Sequence, residues 1–232
     1  TNAATFIEPV APGALISVFG ENLSPLQTRA GSTPLPTFLA DSCMTVNNLP
    51  IPLLFLSAGQ INGQMPFEIQ GPATAVVHTS GGVSEPFSFE VLSAAPALYR
   101  STFGGQASEP IPIIFRAFNN EPVTLSNPVR RGEVLFMFGN GLGRVSPLLG
   151  SGEAAPANTL FSAVQTPTVT IGGRPATVLF AGLAPGFVGL NQLNIQVPAD
   201  APLGFNIPLR ITSGAVSSES RTLRLSSRSS RL

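Results

Sequence analysis

The chain is written twice, and this repetition limits its possible folds more than any other feature. Gly13-Ala-Leu-Ile-Ser-Val-Phe-Gly-Glu-Asn-Leu23 returns as Gly132-Glu-Val-Leu-Phe-Met-Phe-Gly-Asn-Gly-Leu142. Thr45-Val-Asn-Asn-Leu-Pro50 returns as Thr170-Ile-Gly-Gly-Arg-Pro175, and Gln60-Ile-Asn-Gly-Gln-Met-Pro66 as Gln192-Leu-Asn-Ile-Gln-Val-Pro198. Thr79-Ser-Gly-Gly-Val-Ser84 matches Thr212-Ser-Gly-Ala-Val-Ser217, and the spacing widens from 119 to 133 residues along the chain. A period that long exceeds a solenoid repeat and suits a small domain present in two copies.

Each copy reads as strands. Apolar runs are short, end at Gly, Pro or Asn, and carry no sustained 3.6-residue period. That is the pattern of an all-β sandwich. Strands are expected near 14–19, 43–47, 51–56, 60–65, 73–79 and 85–92, then near 133–138, 167–171, 176–181, 191–197, 206–212 and 219–225. Asn47-Asn48 and Gly172-Gly173 hold the same place between two strand patterns. A two-residue type I′ turn needs positive φ at both central positions, which Gly adopts freely and Asn tolerates. Pro66 and Pro198 close matched strands, since proline cannot donate to a ladder.

The expected organisation is two tandem domains, 1–95 and 96–232, divided at Ala94-Ala95-Pro96. A hairpin over 110–125, turning at Asn119-Asn120, leads the second domain, with a shorter counterpart at Thr5–Val10. A polar, basic tail covers 226–232. So short a linker predicts a fairly fixed tandem.

Hydrophobic residues make up 43% of the 232 residues and charged residues 10%, against about 25% charged in ordinary domains. Formal net charge is zero and all twelve cationic residues are Arg. A nucleic-acid partner is not expected, because its binders carry a basic footprint. One cysteine, Cys43, cannot form an internal disulfide. No apolar run approaches the roughly 20 residues of a membrane span. Thr1 reads as the start of a processed or excised piece.

The chemistry-bearing residues are sparse. His78 is the only histidine and Asp occurs only at 41 and 200, which offers no sequence support for a Ser-His-Asp system. One His and one Cys cannot supply a zinc site. Glu8, Glu21, Glu68 and Asp41 lack the spaced run of a calcium loop. Gly139-Asn-Gly-Leu-Gly143 is glycine-rich, but Arg144-Val-Ser-Pro147 after it is no helix start, so a phosphate cradle is not expected. No catalytic residue, cofactor or metal is therefore assigned. Gln60, Asn62 and Gln64 alternate and share a strand face, as do Gln192, Asn194 and Gln196. They read as structural amide ladders or, alternatively, as a carbohydrate platform. The absence of Trp and a single Tyr leave that platform without the flat rings sugars favour. Phe103, Phe161 and Phe187 fall in loop-like segments, and if exposed would mark an association surface.

Several of these motifs together resemble a known family: Ala11-Pro12-Gly13 with the Ile16–Leu23 strand, Gly59-Gln60-Ile61-Asn62, Arg131-Gly132, and Phe180-Ala-Gly-Leu-Ala-Pro-Gly-Phe187. The chain is similar over roughly 9–225 to an uncharacterised C-terminal domain of secreted Acidobacteria proteins of the Solibacter type. Each half also resembles an immunoglobulin-like domain of the IPT/TIG kind. The chain departs from the pattern at Gly63, where an apolar residue is usual. The resemblance implies two immunoglobulin-like sandwiches in a secreted or surface-attached bacterial protein, with no known activity. The expected role is a non-catalytic structural or adhesive module of a surface protein or filament. Its partners would be other copies of itself, other surface proteins, or polysaccharide. Alternatives are a polysaccharide-binding module or a spacer on a secreted enzyme. Strand edges without Lys are poorly protected against pairing, so Thr5, Phe6 and Ile7 are a candidate strand for addition to a neighbour's sheet.

Overall fold

A computed structural model describes residues 1–103, 109–218 and 221–226. Among them the chain is all-β, in antiparallel sheets. No helix there is long and apolar enough to cross a membrane. Of the expected tail only Ser226 lies within the described residues.

The first half carries β1 (Leu15–Phe19), β2 (Cys43–Val46), β3 (Leu53–Ser57), β4 (Gln60–Gln64), β5 (Gly71–Thr79) and β6 (Phe87–Val91). The second carries β7 (Ala97–Leu98), β8 (Ile114–Arg116), β9 (Val134–Asn140), β10 (Thr168–Ile171), β11 (Arg174–Leu183), β12 (Asn191–Gln196), β13 (Gly204–Ser213) and β14 (Arg221–Leu225). In the first half one sheet runs β1-β4-β3, and in the other β5 pairs both β2 and β6. The second half repeats these pairings as β9-β12-β11 and β10-β13-β14. The register repeats too: Ser17 faces Asn62 as Phe136 faces Asn194.

The leading segment of each half serves both sheets. Asn2 bridges Ile16 antiparallel, and Val10 then bridges Val91 in parallel. In the second half Arg116 faces Leu135, and Val129 bridges Leu225 in parallel. The counterpart expected at Thr5–Val10 is therefore divided. Residues 1–3 lie along β1, Val10 lies on β6, and the turn between holds Thr5–Ile7. The expected 110–125 hairpin turns at Asn120, whose φ is 58°, but its return arm is reduced to a bridge between Phe115 and Pro122.

Side-chain alternation places one face of each sheet inward. Met44, Val46, Leu56 and Ile61 centre one buried cluster, and Leu135, Ile171, Leu193 and Leu209 another. Each such side chain contributes about 1.5–3 kcal/mol on burial. The matched two-residue turns have φ of 49° and 64° at Asn47 and Asn48, and 59° and 78° at Gly172 and Gly173. One sequence match slips by a residue. Val77 N–H donates to Ser84 Oγ as Ile211 N–H donates to Ser218 Oγ. Ser84 thus corresponds to Ser218 rather than Ser217, and His78 to Thr212 rather than Ile211. A slip of one exchanges the two faces of a strand, and the core settles which alignment holds.

The halves differ where β11 is unbroken. Its first residues pair β10 and its later ones β12. In the first half Pro52 stands where the second has Thr177, and the strand divides into Leu49–Pro50 and β3. Proline donates no hydrogen bond to either ladder. On the neighbouring strand, opposite Leu53, Gly63 replaces Ile195. A Cβ on Gly63 would lie 2.7 Å from the Pro52 carbonyl oxygen and 2.9 Å from Ile51 Cδ1. The glycine accommodates the broken strand.

Arg116 is 1% exposed. Its Nε donates to Glu133 Oε1 at 3.2 Å and its Nη2 to the Pro128 carbonyl at 2.5 Å. This anchors β8 to the body of the second sandwich.

Gly63→Val is expected to destabilise the chain by about 1–3 kcal/mol through overpacking, read as a lowered urea midpoint. An unchanged midpoint would mean that the Pro52 wall yields freely. Glu133→Ala leaves the Arg116 guanidinium buried without its carboxylate. The expected cost is about 3–5 kcal/mol in thermal or urea denaturation.

Candidate functional site

The amide ladders show what these side chains can do. Gln60 Nε2 donates to Asn62 Oδ1 at 2.7 Å, and Ser17 Oγ donates to the same oxygen at 2.9 Å. Gln192 Nε2 donates to Asn194 Oδ1 at 2.9 Å. Gln64 Nε2 donates to the Gly13 carbonyl at 3.2 Å, and Gln196 Nε2 to the Gly132 carbonyl at 3.3 Å. These are matched bonds to matched glycines, within each sandwich. Gln64 differs in having a second partner: its Oε1 accepts the Gly152 N–H at 2.6 Å, across to the other half. Gln196 is exposed.

That bond belongs to a larger joint. Asn140 ends β9 and is completely buried. Its Oδ1 accepts the Leu15 N–H at 2.9 Å, and its Nδ2 donates to the Leu15 carbonyl at 2.7 Å and to Asn2 Oδ1 at 2.9 Å. One side-chain amide thus meets both polar groups of a β1 residue, as a neighbouring strand would. Asn2, itself buried, donates to the Ala95 carbonyl at 3.0 Å. Ala95 N–H in turn donates to the Gly141 carbonyl at 2.7 Å. Gly141 and Gly143 have φ of 80° and 84°, with the Ala95 and Ser93 carbonyls seated where side chains would be. The glycine-rich run Gly139–Gly143 is therefore the seat of the inter-sandwich linker.

An apolar contact completes the joint. Phe67 follows Pro66 beyond β4 and packs with Val145, Ala155, Phe161 and Leu183 of the second half. Arg144 Nε donates to the Phe67 carbonyl at 3.0 Å, and Phe67 N–H donates to Ser151 Oγ at 3.1 Å. Of the three loop phenylalanines, Phe161 is buried here. Phe187 is exposed, and Phe103 packs edge-on to Phe115 at 6.0 Å.

The remaining sequence candidates lie apart. Thr5, Phe6 and Ile7 form no strand: the Thr5 and Phe6 N–H groups donate to the Asn2 carbonyl, and Ile7 accepts from Asn2 N–H. Phe6 has φ of 60°. A left-handed residue bends the segment back, so the extended donor expected there is a closed turn. His78 is half-buried on β5 opposite Cys43. Among the described residues no three His, Cys, Asp or Glu side chains gather as a metal requires, and Glu8, Glu21, Glu68 and Asp41 do not converge.

No family model matches the chain, and no curated protein matches it. Among solved structures it is similar to SGBP-B from a complex xyloglucan utilization locus in Bacteroides uniformis. The identity is 16% over 94% of this chain and 46% of that one, with a TM-score of 0.29. It is also similar to an endo-fucoidan hydrolase from glycoside hydrolase family 107, at 12% identity over 96% of this chain and 28% of that one, with a TM-score of 0.20. The chain thus spans less than half the length of either, and likenesses of this size say nothing of its ligand or activity.

Asn140→Ala strips the Leu15 N–H of its partner inside the joint. At about 1–3 kcal/mol for each unsatisfied buried group, the expected loss is roughly 2–4 kcal/mol by urea denaturation. A loss under about 0.5 kcal/mol, the range of ordinary surface substitutions, would show that the amide is dispensable.

Proposed function

We propose that this chain is a non-catalytic structural module of an extracellular bacterial assembly, in which two β-sandwiches act as one rigid body. The observation that carries this reading is the joint. Buried amides from both halves bond across it: Asn140 to the Leu15 backbone and to the Asn2 side chain, and Gln64 to the Gly152 backbone. Domain motion is the default across ordinary interfaces within a chain. A buried amide that loses its partner is costly, so bending this joint has a penalty at each of these bonds. Rigidity over two sandwiches suits a spacer or scaffold. The extracellular setting is supported by the resemblance to secreted acidobacterial modules, and the same resemblance supports descent of the halves from one ancestral sandwich.

Small-angle X-ray scattering and calorimetry test this directly. A single compact conformation should fit the scattering, and the chain should unfold in one transition. The double variant Asn140→Ala, Phe67→Ala should separate into two transitions and broaden the scattering envelope. Two independent transitions in the unaltered chain would sink the rigid-body reading.

A further inference from the structure

We infer that the outer face of the first sandwich binds one cuprous ion per chain, held between the Cys43 thiolate and the His78 imidazole. This goes beyond the structural role proposed above and stands on a separate observation. The chain has one cysteine and one histidine in 232 residues. Folding sets these two directly opposite each other on the adjacent strands β2 and β5, far apart as they are in sequence.

Register and alternation put both side chains on one face. Met44 and Val77, the next opposed pair, are buried in the core. Cys43 and His78 therefore point outward, and both are half-buried. Opposed residues of an antiparallel pair carry Cβ atoms about 4.5–5.5 Å apart, a gap that one metal ion between a sulfur and a ring nitrogen spans. Cys43 is a free thiol. Among the described residues neither side chain has a hydrogen-bond partner. The second sandwich shows what this place holds otherwise. Thr168 stands opposite Thr212 there, and Thr212 opposite Ser217. Thr168 Oγ1 donates to the Thr212 carbonyl at 3.5 Å, and Thr212 Oγ1 lies 2.8 Å from Ser217 Oγ. Those hydroxyls are all bonded within the row. In the first sandwich Val83 stands opposite His78 and offers the ring no such partner. Both members of the pair differ between the halves, and together they make a chelate that neither makes alone.

The donor set selects the ion. Divalent metals need three or more such side chains, and among the described residues no third His, Cys, Asp or Glu gathers here. Zinc in particular takes three or four protein ligands. Thiolate sulfur is a soft donor that selects the cuprous ion, and imidazole suits copper as well. A monovalent, closed-shell ion accepts a linear pair of donors, so two ligands complete its coordination. Binding breaks the Cys43 S–H bond, releases that proton to water, and forms one copper–sulfur and one copper–nitrogen bond. The copper enters and stays in its cuprous state, so no oxidant or reductant takes part, and the charges of thiolate and ion cancel.

The test is an anaerobic titration of the full chain against the cuprous bicinchoninate complex, whose colour falls as copper leaves it. The chain is expected to withdraw one equivalent, with a shift of the His78 ring resonances in NMR. Cys43→Thr with His78→Thr installs the pair that the second sandwich already folds with, so binding should be lost while the urea midpoint holds. Losing an outer partner of a metal ligand costs about 10–100-fold in affinity, so His78→Phe, which removes a ligand itself, should cost at least as much. The inference is overturned if the chelator keeps its copper, if His78→Phe binds as tightly as the unaltered chain, or if one ion bridges two chains, seen as dimerisation in sedimentation. Rigidity is read by scattering and unfolding, so either proposal can fail alone.

Discussion

A buried peptide group must find a hydrogen-bond partner, and the contact between these two sandwiches is built around meeting that demand. Where β9 ends against β1, backbone meets backbone too closely for bulky side chains. Gly141 and Gly143 admit the linker carbonyls, and Asn140 supplies the acceptor that the Leu15 N–H would otherwise lack and a second donor to its carbonyl, beside the Ala3 N–H. A hydrophobic joint alone would tolerate sliding, because apolar contact is non-directional. Adding amides whose every bond is specified gives the contact one geometry. Phe67 supplies apolar burial beside them, and Arg144 holds the backbone on which Phe67 is carried.

Most strands were legible because sheet periodicity and turn chemistry are local. Asn47-Asn48 and Gly172-Gly173 announce their hairpins by backbone tolerance alone, and short apolar runs between Gly and Pro mark the ladders. The joint was not legible. Asn140 sits in a glycine-rich run that resembles a strand exit, and its partner Leu15 is 125 residues away. Nothing local distinguishes Gln64, which spans two sandwiches, from Gln196, which does not. The Thr5–Ile7 segment looked extended by composition, yet Phe6 at positive φ closes it into a turn. The Ser84 alignment failed by one position because Thr79–Ser84 matches Thr212–Ser217 better letter for letter, while the hairpin's hydrogen bonds set Val77 against Ile211 and Ser84 against Ser218.

The two halves share their pairing and diverge in volume. Pro52 with Gly63, against Thr177 with Ile195, is a compensated change: a broken strand needs a thinner neighbour. Ala73, Ala75 and Val77 against Ile207, Leu209 and Ile211 is offset in part by Phe89, which packs on the first core opposite Ala73 where the second half has Leu223 opposite Ile207.

The Phe67 knob has a corollary for assembly length. Head-to-tail contacts propagate when each unit presents the same two complementary faces. Counting from β4 to β12, the residue matching Phe67 is Ala199, exposed and without a ring. Gln196 keeps the bond to its own glycine, but no aromatic plug stands beside it to enter a third sandwich. The second sandwich therefore cannot repeat this contact, and a further sandwich set against it would be joined through different surfaces.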